Sequence, residues 1–401
     1  MRGNNYRRRI GIDARFILRP LRGIPLYVTR LCEHLPALNP DYLFYLFINK
    51  GFEHNDLPEN YQPRIDNIRK HDNVRIVNFD DDAEIMWEQI YLPRLVRAHK
   101  IDLLHMPANR MCFFTPVPTV VTVHDVIEYL FLPIRYSLRS ILKSSNIRLS
   151  FYLLRTRSYI WTMYRYALKN ASKIITVSNY SAGDIVRRLN INHDKIRVIY
   201  HGLDEEFLRP GKNGVSNSTQ RSFVLMLGGD SYQKNPEGAI SAWANVSEEI
   251  RRKYPLTIIG FCGNEQSPLI KALKRYNLLN EVEIKGWVSK EELIQYFQNA
   301  TLFLYLSRYE GFGFPLLQAM GSGIPVISTN RSSIPEVLGD VGLQYDPDDH
   351  KGIAEGIEKM LSNKSLRDKQ SIIEKERASL FSWQRSAEEH LKVYEEGLKN
   401  V

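Results

Sequence analysis

A carboxylate followed by closely spaced glycines stands in the C-terminal half of the sequence, at Glu310, Gly311 and Gly313. An apolar, strand-like run precedes these residues, and a helical pattern that opens near Phe314 follows them. Glycines at such a junction let backbone N–H groups approach a phosphate, and the positive end of the helix dipole attracts the same anion. The carboxylate can accept hydrogen bonds from sugar hydroxyls. The run therefore predicts an anion site with a sugar-binding carboxylate at its mouth.

Gln318 extends this pattern. It lies eight residues after Glu310. This separation predicts that Gln318 lies about two turns along the helix, on nearly the same face as Glu310. We therefore expect the two side chains to face one ligand.

A parallel α/β framework is predicted to position these residues. Short β-branched runs alternate with helical segments such as Glu84–His99, Ala182–Leu189 and Asn235–Ala244, and this alternation is typical of doubly wound parallel sheets. The first predicted series of strands is Arg8–Asp13, Leu43–Ile48, Val74–Phe79, Asp102–His105, Val117–Val123, Lys173–Val177 and Arg197–Tyr200. The second is Ser222–Leu227, Leu256–Gly260, Val282–Lys285, Leu302–Leu306, Pro325–Ser328 and Gly342–Tyr345.

A polar segment rich in Gly, Ser and Asn interrupts the alternation at about residues 205–220 and reads as a linker. We therefore expect an α/β fold of two Rossmann-like doubly wound domains, 1–205 and 206–380, with a cleft between them. The spacing of apolar residues in the tail, 381–401, predicts an amphipathic helix. It either packs on the second domain or crosses back to the first.

Composition agrees with two globular domains. The chain has 401 residues, of which 43% are hydrophobic and 25% charged, which argues against disordered and fibrous classes. Its apolar runs are far shorter than a membrane span, and the N-terminus lacks the apolar region of a signal peptide. The three cysteines are odd in number and widely spaced, which argues against a disulfide framework or a zinc site. We expect a cytoplasmic protein.

Positive charge is concentrated in the first half of the chain. Residues 1–200 carry a net charge of +12 and the remainder −3, so the first half is expected to face an anionic partner. No nucleic-acid recognition motif is present. Residues 131–170 combine eight Arg and Lys with eight aromatics and contain no acid. Such a segment either docks on an anionic membrane surface or forms packed helices with a solvated basic face.

The run from Tyr309 to Ile327 resembles the donor-binding motif of family 4 of the retaining glycosyltransferases, also called group 1 glycosyltransferases, which have the two-domain GT-B fold. Other matching segments follow in order along nearly the whole chain. They are Gly11–Arg15 with Arg22–Ile24, Thr122–Asp125, Ala171–Ser181, Val198–Asp204, Gly228–Gly229 with Lys234–Asn235, Gly286–Ser289 and Arg331–Val337.

The resemblance implies catalytic roles for three residues: Glu310 contacts the donor sugar, Lys234 holds the diphosphate and His124 reaches the transferred sugar. It also implies that the nucleobase lies near Gly260 and Val288. The donor-binding residues that it implies are Gly23, Asp125, His201, Gly228, Gly229, Gln233, Gly260, Val288, Arg308, Gly311, Phe312, Gly313, Phe314 and Gln318.

The sequence departs from the family pattern at two places. Gln318 stands where the family usually has a glutamate that binds both ribose hydroxyls. Gly229 and Gln233 stand where it usually has an arginine at one position or the other, so the second diphosphate cation is missing or comes from Arg308 or Arg331.

No metal site and no resident cofactor is expected. Asp80–Asp82 and Asp346–Asp348 fit an Asp-x-Asp pattern, but we assign both to solvated turns, because cations and backbone amides are expected to neutralise the leaving phosphate. No second carboxylate is evident for the opposite sugar face, so a glycosidase-like double displacement is not supported.

The sequence thus predicts a metal-independent retaining hexosyltransferase for polysaccharide synthesis. Its donor is a nucleotide diphosphate sugar, with UDP-glucose favoured, and its acceptor is a glycan or lipid-linked glycan, with a peripheral membrane position through residues 131–170. Three alternatives stay open: a GDP-mannose-dependent mannosyltransferase, a nucleotide-sugar 2-epimerase and a catalytically weak sugar-nucleotide-binding subunit.

Overall fold

The computed structural model describes residues 8–50, 61–80, 83–132, 147–209 and 223–399. The chain divides into two compact units: unit 1 comprises Met1–His201 and Trp383–Val401, and unit 2 comprises Gly202–Ser382. Parts of the sequence expectations fall outside the described residues. They are the linker from residue 210 onward, the first residue of the predicted strand Ser222–Leu227, residues 133–146 of the basic segment, Asp81 with Asp82, and the last two residues of the tail.

Unit 1 is built on a seven-stranded sheet of order β3-β2-β1-β4-β5-β6-β7, in which every pairing is parallel. Its strands are β1 Arg8–Asp13, β2 Tyr42–Asn49, β3 Val74–Phe79, β4 Leu103–Met106, β5 Thr119–Thr122, β6 Lys173–Thr176 and β7 Ile196–Val198. The central strands β4 and β5 are buried along their whole length, as expected for a parallel sheet covered on both faces.

The helices of unit 1 connect these parallel strands. They are α1 Ile24–Leu38, α2 Gln62–Arg69, α3 (the consecutive stretches Glu84–Met86, Trp87–Tyr91 and Leu92–Ala98, the middle one π-wound), α4 Ile127–Leu130, α5 Ile147–Arg165 and α6 Asn179–Leu189. The ends of α6 follow from the sequence, because the side chain of Ser178 caps the first turn and Asn190 adopts a left-handed conformation after the last.

The C-terminal helix α15, Trp383–Lys399, belongs to unit 1, and it packs on α1 and on strands β4, β5 and β6. Gly397 permits the close approach, because a Cβ at this position would lie 2.9 Å from Leu103. Glu396 forms ion pairs with Lys173 at 3.0 Å and with Arg197 at 2.8 Å. Of the two positions that the amphipathic pattern allowed, the helix occupies the one on the first unit.

Unit 2 contains a six-stranded parallel sheet of order β10-β9-β8-β11-β12-β13. Its strands are β8 Val224–Leu227, β9 Leu256–Ile259, β10 Glu283–Ile284, β11 Leu302–Tyr305, β12 Val326–Thr329 and β13 Leu343–Tyr345. Its helices are α7 Pro236–Ala244, α8 Glu248–Lys253, α9 Pro268–Arg275, α10 Lys290–Asn299, α11 Phe314–Gly321, α12 Ile334–Leu338, α13 His350–Ser362 and α14 Lys364–Ala378.

The thirteen predicted strands are all present, and the predicted doubly wound α/β class is confirmed. Strand ends differ by a few residues for local reasons. The strand expected from Val117 begins at Thr119, since Pro118 has no N–H to donate. None of the helices in the described ranges is long and apolar enough to cross a bilayer.

A buried carboxyl in unit 2 gives the fold a pH-dependent stability. Glu374 Oε1 accepts hydrogen bonds from the Val326 N–H at 3.2 Å and from Gln370 Nε2 at 2.9 Å. Burial raises the pKa of Glu374 from 4.5 to about 8. Because the folded pKa lies above the unfolded one, the contribution of this group is fully present below pH 4.5 and is lost as the pH rises through about 8.

We expect Glu374→Gln, which stays neutral, to stabilise the protein by up to about 5 kcal/mol near pH 9 and by less than about 1 kcal/mol near pH 5. Urea unfolding at the two pH values measures the difference. A gain of the same size at both would contradict a buried, protonated Glu374.

Candidate functional site

The sheet of unit 2 reverses its winding between β8 and β11. These strands are neighbours, and the chain continues from β8 to β9 on one side, whereas β12 and β13 lie on the other. Ligands of open α/β sheets bind at the carboxyl ends of the strands at such a switch point. Lys234 follows β8, and Glu310 follows β11. Two of the three predicted catalytic residues therefore flank one switch point.

Lys234 and Glu310 form an ion pair with 2.7 Å between Nζ and Oε1. The Glu310 side chain is 13% exposed and that of Lys234 is 35% exposed, so the pair is partly shielded from water and still reachable by a ligand. The Lys234 ammonium also lies 5.7 Å from the centre of the buried Tyr305 ring. A phosphate entering here could take over the ammonium from Glu310 and leave the carboxylate free to accept sugar hydroxyls.

Asn235, which the sequence analysis did not single out as a site residue, fixes the position of Lys234. It is buried and left-handed, with φ 52°, and it ends the short turn that contains Lys234. Its Nδ2 donates to the Leu306 carbonyl at 3.1 Å, and its Oδ1 accepts from Arg308 Nε at 3.1 Å. The signal in the sequence was the Asn-Pro pair, which favours a turn at a helix start.

Two serines after β12 hold the backbone of the Glu310 loop. The Glu310 N–H donates to Ser332 Oγ at 2.9 Å. The buried Ser333 hydroxyl contacts the carbonyls of Glu310 at 3.0 Å and Phe312 at 3.1 Å. These serines lie in a segment that carried the family resemblance, but the sequence analysis assigned no role to them.

Gly313 allows the turn from this loop into α11, since its φ of 104° would strain any residue with a side chain. The helix begins at Phe314, so Glu310 precedes it. The expectation that Gln318 shares a helix face with Glu310 is therefore wrong, because the two residues are not on one helix. Gln318 is half-buried in α11, and its assignment to the ribose stays a prediction.

The other predicted donor residues of unit 2 lie on neighbouring strand ends. Gly228 and Gly229 follow β8, and a Cβ at Gly229 would lie 3.0 Å from Lys234 Cγ, so this glycine makes room for the lysine stem. The Gln233 carbonyl accepts from the Arg308 N–H at 2.7 Å and thereby ties the turn containing Lys234 to the start of the Glu310 loop. Gly311 and Phe312 lie within that loop, and Phe312 is buried.

The proposed nucleobase residues come together at the ends of β9 and β10. The Gly260 N–H donates to the Gly286 carbonyl at 2.9 Å, and the half-buried Val288 follows two residues later. Trp287 is more than half exposed. Its ring packs beside Gly260, where an added Cβ would lie 3.4 Å from the ring.

Both candidate replacement cations are paired with carboxylates. Arg308 makes a two-pronged ion pair with Asp348, and Arg331 pairs with Asp346. The hydrogen bond to Asp348 is the largest cause that raises the pKa of Arg308. The segment Asp346–Asp348 is therefore more than the solvated turn expected from the sequence, since it holds two arginines. Within the described residues no group of three His, Cys, Asp or Glu could hold a metal ion.

In unit 1, His124 follows β5 and is held on several sides. Its N–H donates to Asn109 Oδ1 at 2.7 Å, its carbonyl accepts from Ser181 Oγ at 3.0 Å, and its ring Nε2 lies 2.9 Å from the Pro107 carbonyl. A carbonyl can only accept, so Nε2 carries the proton and Nδ1 carries a lone pair. Burial lowers the pKa of His124 from 6.5 to about 4, so the ring is neutral near pH 7.

The remaining predicted residues of unit 1 have mainly structural contacts. Gly23 lies at the N-cap position of α1. Asp125 accepts from the Ile127 N–H at 2.9 Å. His201 is buried with its ring 5.3 Å from that of His124. Their contact with a donor stays a prediction.

A buried charge cluster lies after β1 and involves residues that the sequence analysis did not assign. Arg15 pairs with Asp13 at 3.3 Å and with Glu88, and Tyr159 of α5 donates to Glu88. The pKa of Asp13 is raised to about 6, because burial outweighs the attraction of Arg15. The cluster connects the inner side of α5 with the carboxyl end of β1.

Comparison with known proteins agrees with this arrangement. The model for glycosyltransferase family 4 matches residues 21–207, and the model for group 1 glycosyl transferases matches residues 212–377. The chain is 30% identical over 234 residues to the O-antigen chain mannosyltransferase B of Escherichia coli, covering 57% of this chain and 61% of that protein. It is 25% identical over 321 residues to the serotype-specific mannosyltransferase WbdA of Escherichia coli, covering 78% and 37%.

The alignments thus span about three fifths of the first of these relatives and about a third of the second. Among solved structures, sucrose-phosphate synthase from Thermosynechococcus elongatus superposes with a TM-score of 0.67 at 18% identity, over 98% of this chain and all of that one. This likeness supports the fold.

The Ser333 contacts give a stability prediction. Ser333→Ala removes a hydroxyl from two loop carbonyls, and we expect it to destabilise the protein by about 1–2 kcal/mol. Ser322→Ala is the matched control, since its buried Oγ has no hydrogen-bond partner in the part of the chain that the structure describes. Denaturant unfolding measures both. Equal losses would mean that the Ser333 bonds do not hold the loop.

Proposed function

Since the chain belongs to the group 1 glycosyltransferases of family 4, we propose that it transfers a hexose from a nucleotide diphosphate sugar to a hydroxyl of a growing glycan, with retention of configuration. The observation that carries the proposal is the Lys234–Glu310 pair at the switch point of unit 2. It supplies one cation for a diphosphate and one carboxylate for a sugar, side by side.

The leaving diphosphate is stabilised by Lys234 and by the N-terminus of α11. Charge develops on the phosphate oxygens as the bond to the sugar breaks, and a positioned ammonium and a helix N-terminus stabilise that charge. The support for this step is the location of both groups at the carboxyl ends of adjacent strands, β8 and β11.

Transfer is proposed to occur on one face of the sugar. The bond from the anomeric carbon to the phosphate oxygen breaks, and its electron pair leaves with the diphosphate. The acceptor oxygen forms its bond on the same face, and its proton passes to a diphosphate oxygen. In this scheme Glu310 orients the sugar through its hydroxyls.

His124 is proposed to accept a hydrogen bond from a hydroxyl of the transferred sugar through Nδ1. The support is its tautomer, since Nε2 is used by the Pro107 carbonyl, and the lowered pKa that keeps the ring neutral. A neutral imidazole has one acceptor nitrogen, whereas an imidazolium has none.

Among donors, the relatives favour a mannosyl group. The O-antigen chain mannosyltransferase B and WbdA of Escherichia coli are both named as mannosyltransferases, so GDP-mannose becomes the first donor to test. UDP-glucose, favoured from the sequence on the ground that UDP-hexoses are common, is the second. The O-antigen chain in the name of the first of these relatives supports a polysaccharide acceptor.

The acceptor is proposed to be lipid-linked, because α5 of unit 1 presents an apolar and basic face. Ile160, Met163 and Tyr164 bury the inner side of the helix. The outer side exposes Ile147 (83%) and Phe151 (70%). Other large exposed side chains on or directly after α5 are Leu149, Tyr152, Trp161 and Tyr166, and the exposed cations are Arg148, Arg155 and Lys169.

This composition suits an anionic bilayer. Aromatic and aliphatic side chains insert at the headgroup boundary, and cations attract anionic lipids. Residues 147–170 contain no acid that would oppose the attraction. The chain would then sit peripherally on a cytoplasmic membrane face, with the lipid-linked glycan presented to unit 1.

The donor site is tested by incubation with GDP-mannose and UDP-glucose and by titration with the corresponding nucleotides. We expect Lys234→Ala to weaken nucleoside diphosphate binding by about 2–3 kcal/mol and to leave nucleoside binding unchanged.

Glu310→Gln should keep nucleotide binding and lower turnover by about 100-fold. Lys271→Ala, an exposed lysine on α9, is the control.

Products from the donor alone distinguish the alternatives. Slow hydrolysis to free hexose and transfer upon addition of acceptor support a transferase. An epimerised sugar nucleotide would identify a 2-epimerase, and tight binding without any product would identify a binding subunit. Equal losses for diphosphate and nucleoside in Lys234→Ala would place this lysine away from the phosphates.

The membrane face is tested by sedimentation with phosphatidylglycerol vesicles. Replacing Arg148, Arg155 and Lys169 with Gln should weaken binding by about 3 kcal/mol, at about 1 kcal/mol per cation near the surface. The control replaces three exposed lysines of unit 2, Lys271, Lys351 and Lys369. The wild type should bind less at high salt. Absence of binding, or self-association through this face in analytical ultracentrifugation, would refute the membrane assignment.

A further inference from the structure

A continuous chain of buried hydrogen bonds links α15 to the sheet of unit 1. It begins and ends on α15 and passes through β4, β5 and α1. Its members in order are Tyr394, His105, Thr122, Tyr27, His390 and the Ser386 carbonyl, with successive distances of 2.7, 2.8, 2.8, 2.7 and 2.7 Å. Every side chain in it is almost completely buried, so each polar atom depends on its partner in the chain.

The direction of every bond follows from one fixed end. The Ser386 carbonyl can only accept, so His390 carries its proton on Nδ1, and its Nε2 accepts from the Tyr27 hydroxyl. Tyr27 has then used its only proton, so it must accept from Thr122. Thr122 in turn accepts from His105 Nε2, and His105 Nδ1 accepts from Tyr394. The chain is complete with both histidines neutral.

Tyr27 also packs directly against His124. The two rings are 4.9 Å apart in an edge-to-face arrangement, at an interplanar angle of 84°. His201 contacts both, with its ring 4.9 Å from Tyr27 and 5.3 Å from His124. Two hydrogen bonds fix the hydroxyl end of Tyr27. The Tyr27 ring in turn limits rotation of the His124 imidazole, whose Nε2 is held by the Pro107 carbonyl.

We propose that His390 is a positioning residue for His124. His390 fixes Tyr27, and Tyr27 holds the His124 ring in the orientation in which Nδ1 is available to a ligand. The identity of the ligand that His124 contacts rests on the proposed function. The positioning of His124 rests on the contacts within unit 1. It gives α15 a role in the reaction in addition to its role in the fold.

The chain offers a control for simple loosening of α15. Glu396 anchors the same helix through Lys173 and Arg197 at its exposed side, and it takes no part in the buried chain. Glu396→Gln therefore weakens the attachment of the helix and leaves Tyr27 and His390 in place. Any effect specific to positioning should appear in the His390 and Tyr27 variants and be absent in this one.

The experiment compares His390→Leu, His390→Gln, Tyr27→Phe and Glu396→Gln with the wild-type full-length chain. We expect His390→Leu and Tyr27→Phe to lower kcat about tenfold, as a small misplacement of a substrate-contacting group does, with the KM for the donor within about twofold because unit 2 is proposed to hold the nucleotide. His390→Gln retains an acceptor for Tyr27 and should recover part of the loss. Glu396→Gln should keep the wild-type kcat even where its melting temperature falls.

An activity-independent measurement separates this inference from the proposed function. Two-dimensional spectra of ¹⁵N-labelled histidine report the tautomer and surroundings of each imidazole. The resonances of His124 should shift in Tyr27→Phe and His390→Leu and stay in place in Glu396→Gln. If the His124 resonances shift in these two variants but the wild type transfers no sugar, the proposed function fails, whereas the positioning of His124 by His390 is supported. Unchanged His124 resonances in both variants, or the same kcat loss in Glu396→Gln, would overturn the inference.

Discussion

Parallel pairing of all the strands in the described parts of the chain is the constraint on which the chemistry of this protein depends. In a parallel sheet all carboxyl ends lie at one edge, and each connection must return across a face of the sheet. In unit 2 this brings the residues after β8, β9, β10, β11 and β12 to one edge, although they are spread over about a hundred positions of the sequence. Lys234 and Glu310 meet there because β8 and β11 are neighbours in the sheet.

The charges at this edge are arranged as pairs. Lys234 is matched by Glu310, Arg308 by Asp348 and Arg331 by Asp346. Lys234 and Arg308 are partly buried, and an unpaired cation in such a position would be costly, so their carboxylate partners stabilise the site without a ligand, whereas the Arg331 pair is exposed and contributes little. An incoming diphosphate must compete with a carboxylate for each cation. Glu310, the carboxylate partner of Lys234, has a proposed role with the sugar. If Lys234 exchanged Glu310 for a phosphate, phosphate binding would be coupled to the release of Glu310.

The site region of unit 1 contains buried neutral side chains, in contrast to the ion pairs of unit 2. Its site region contains four buried histidines, His105, His124, His201 and His390, and burial is the main cause that lowers the pKa of each. Neutral imidazoles can each donate and accept one hydrogen bond, which allows an uncharged chain to pass through the core. Three buried ionisable side chains of this unit, Asp13, Arg15 and Glu88, form one cluster, which reaches α5 through Tyr159.

The sequence by itself determined the class of fold, the number of strands and the motif residues, because strand patterning and the glycine and carboxylate run are local properties. The run from Glu310 to Phe314 predicted its own turn into a helix, and the amphipathic pattern of the tail predicted α15. Tertiary structure decided which residues of distant segments meet. Gln318 lost its expected relation to Glu310 because the helix begins only at Phe314, and Asn235, Ser333 and His390 gained importance through partners 71, 23 and 363 residues away. Such contacts depend on strand order and helix docking, which no local periodicity encodes.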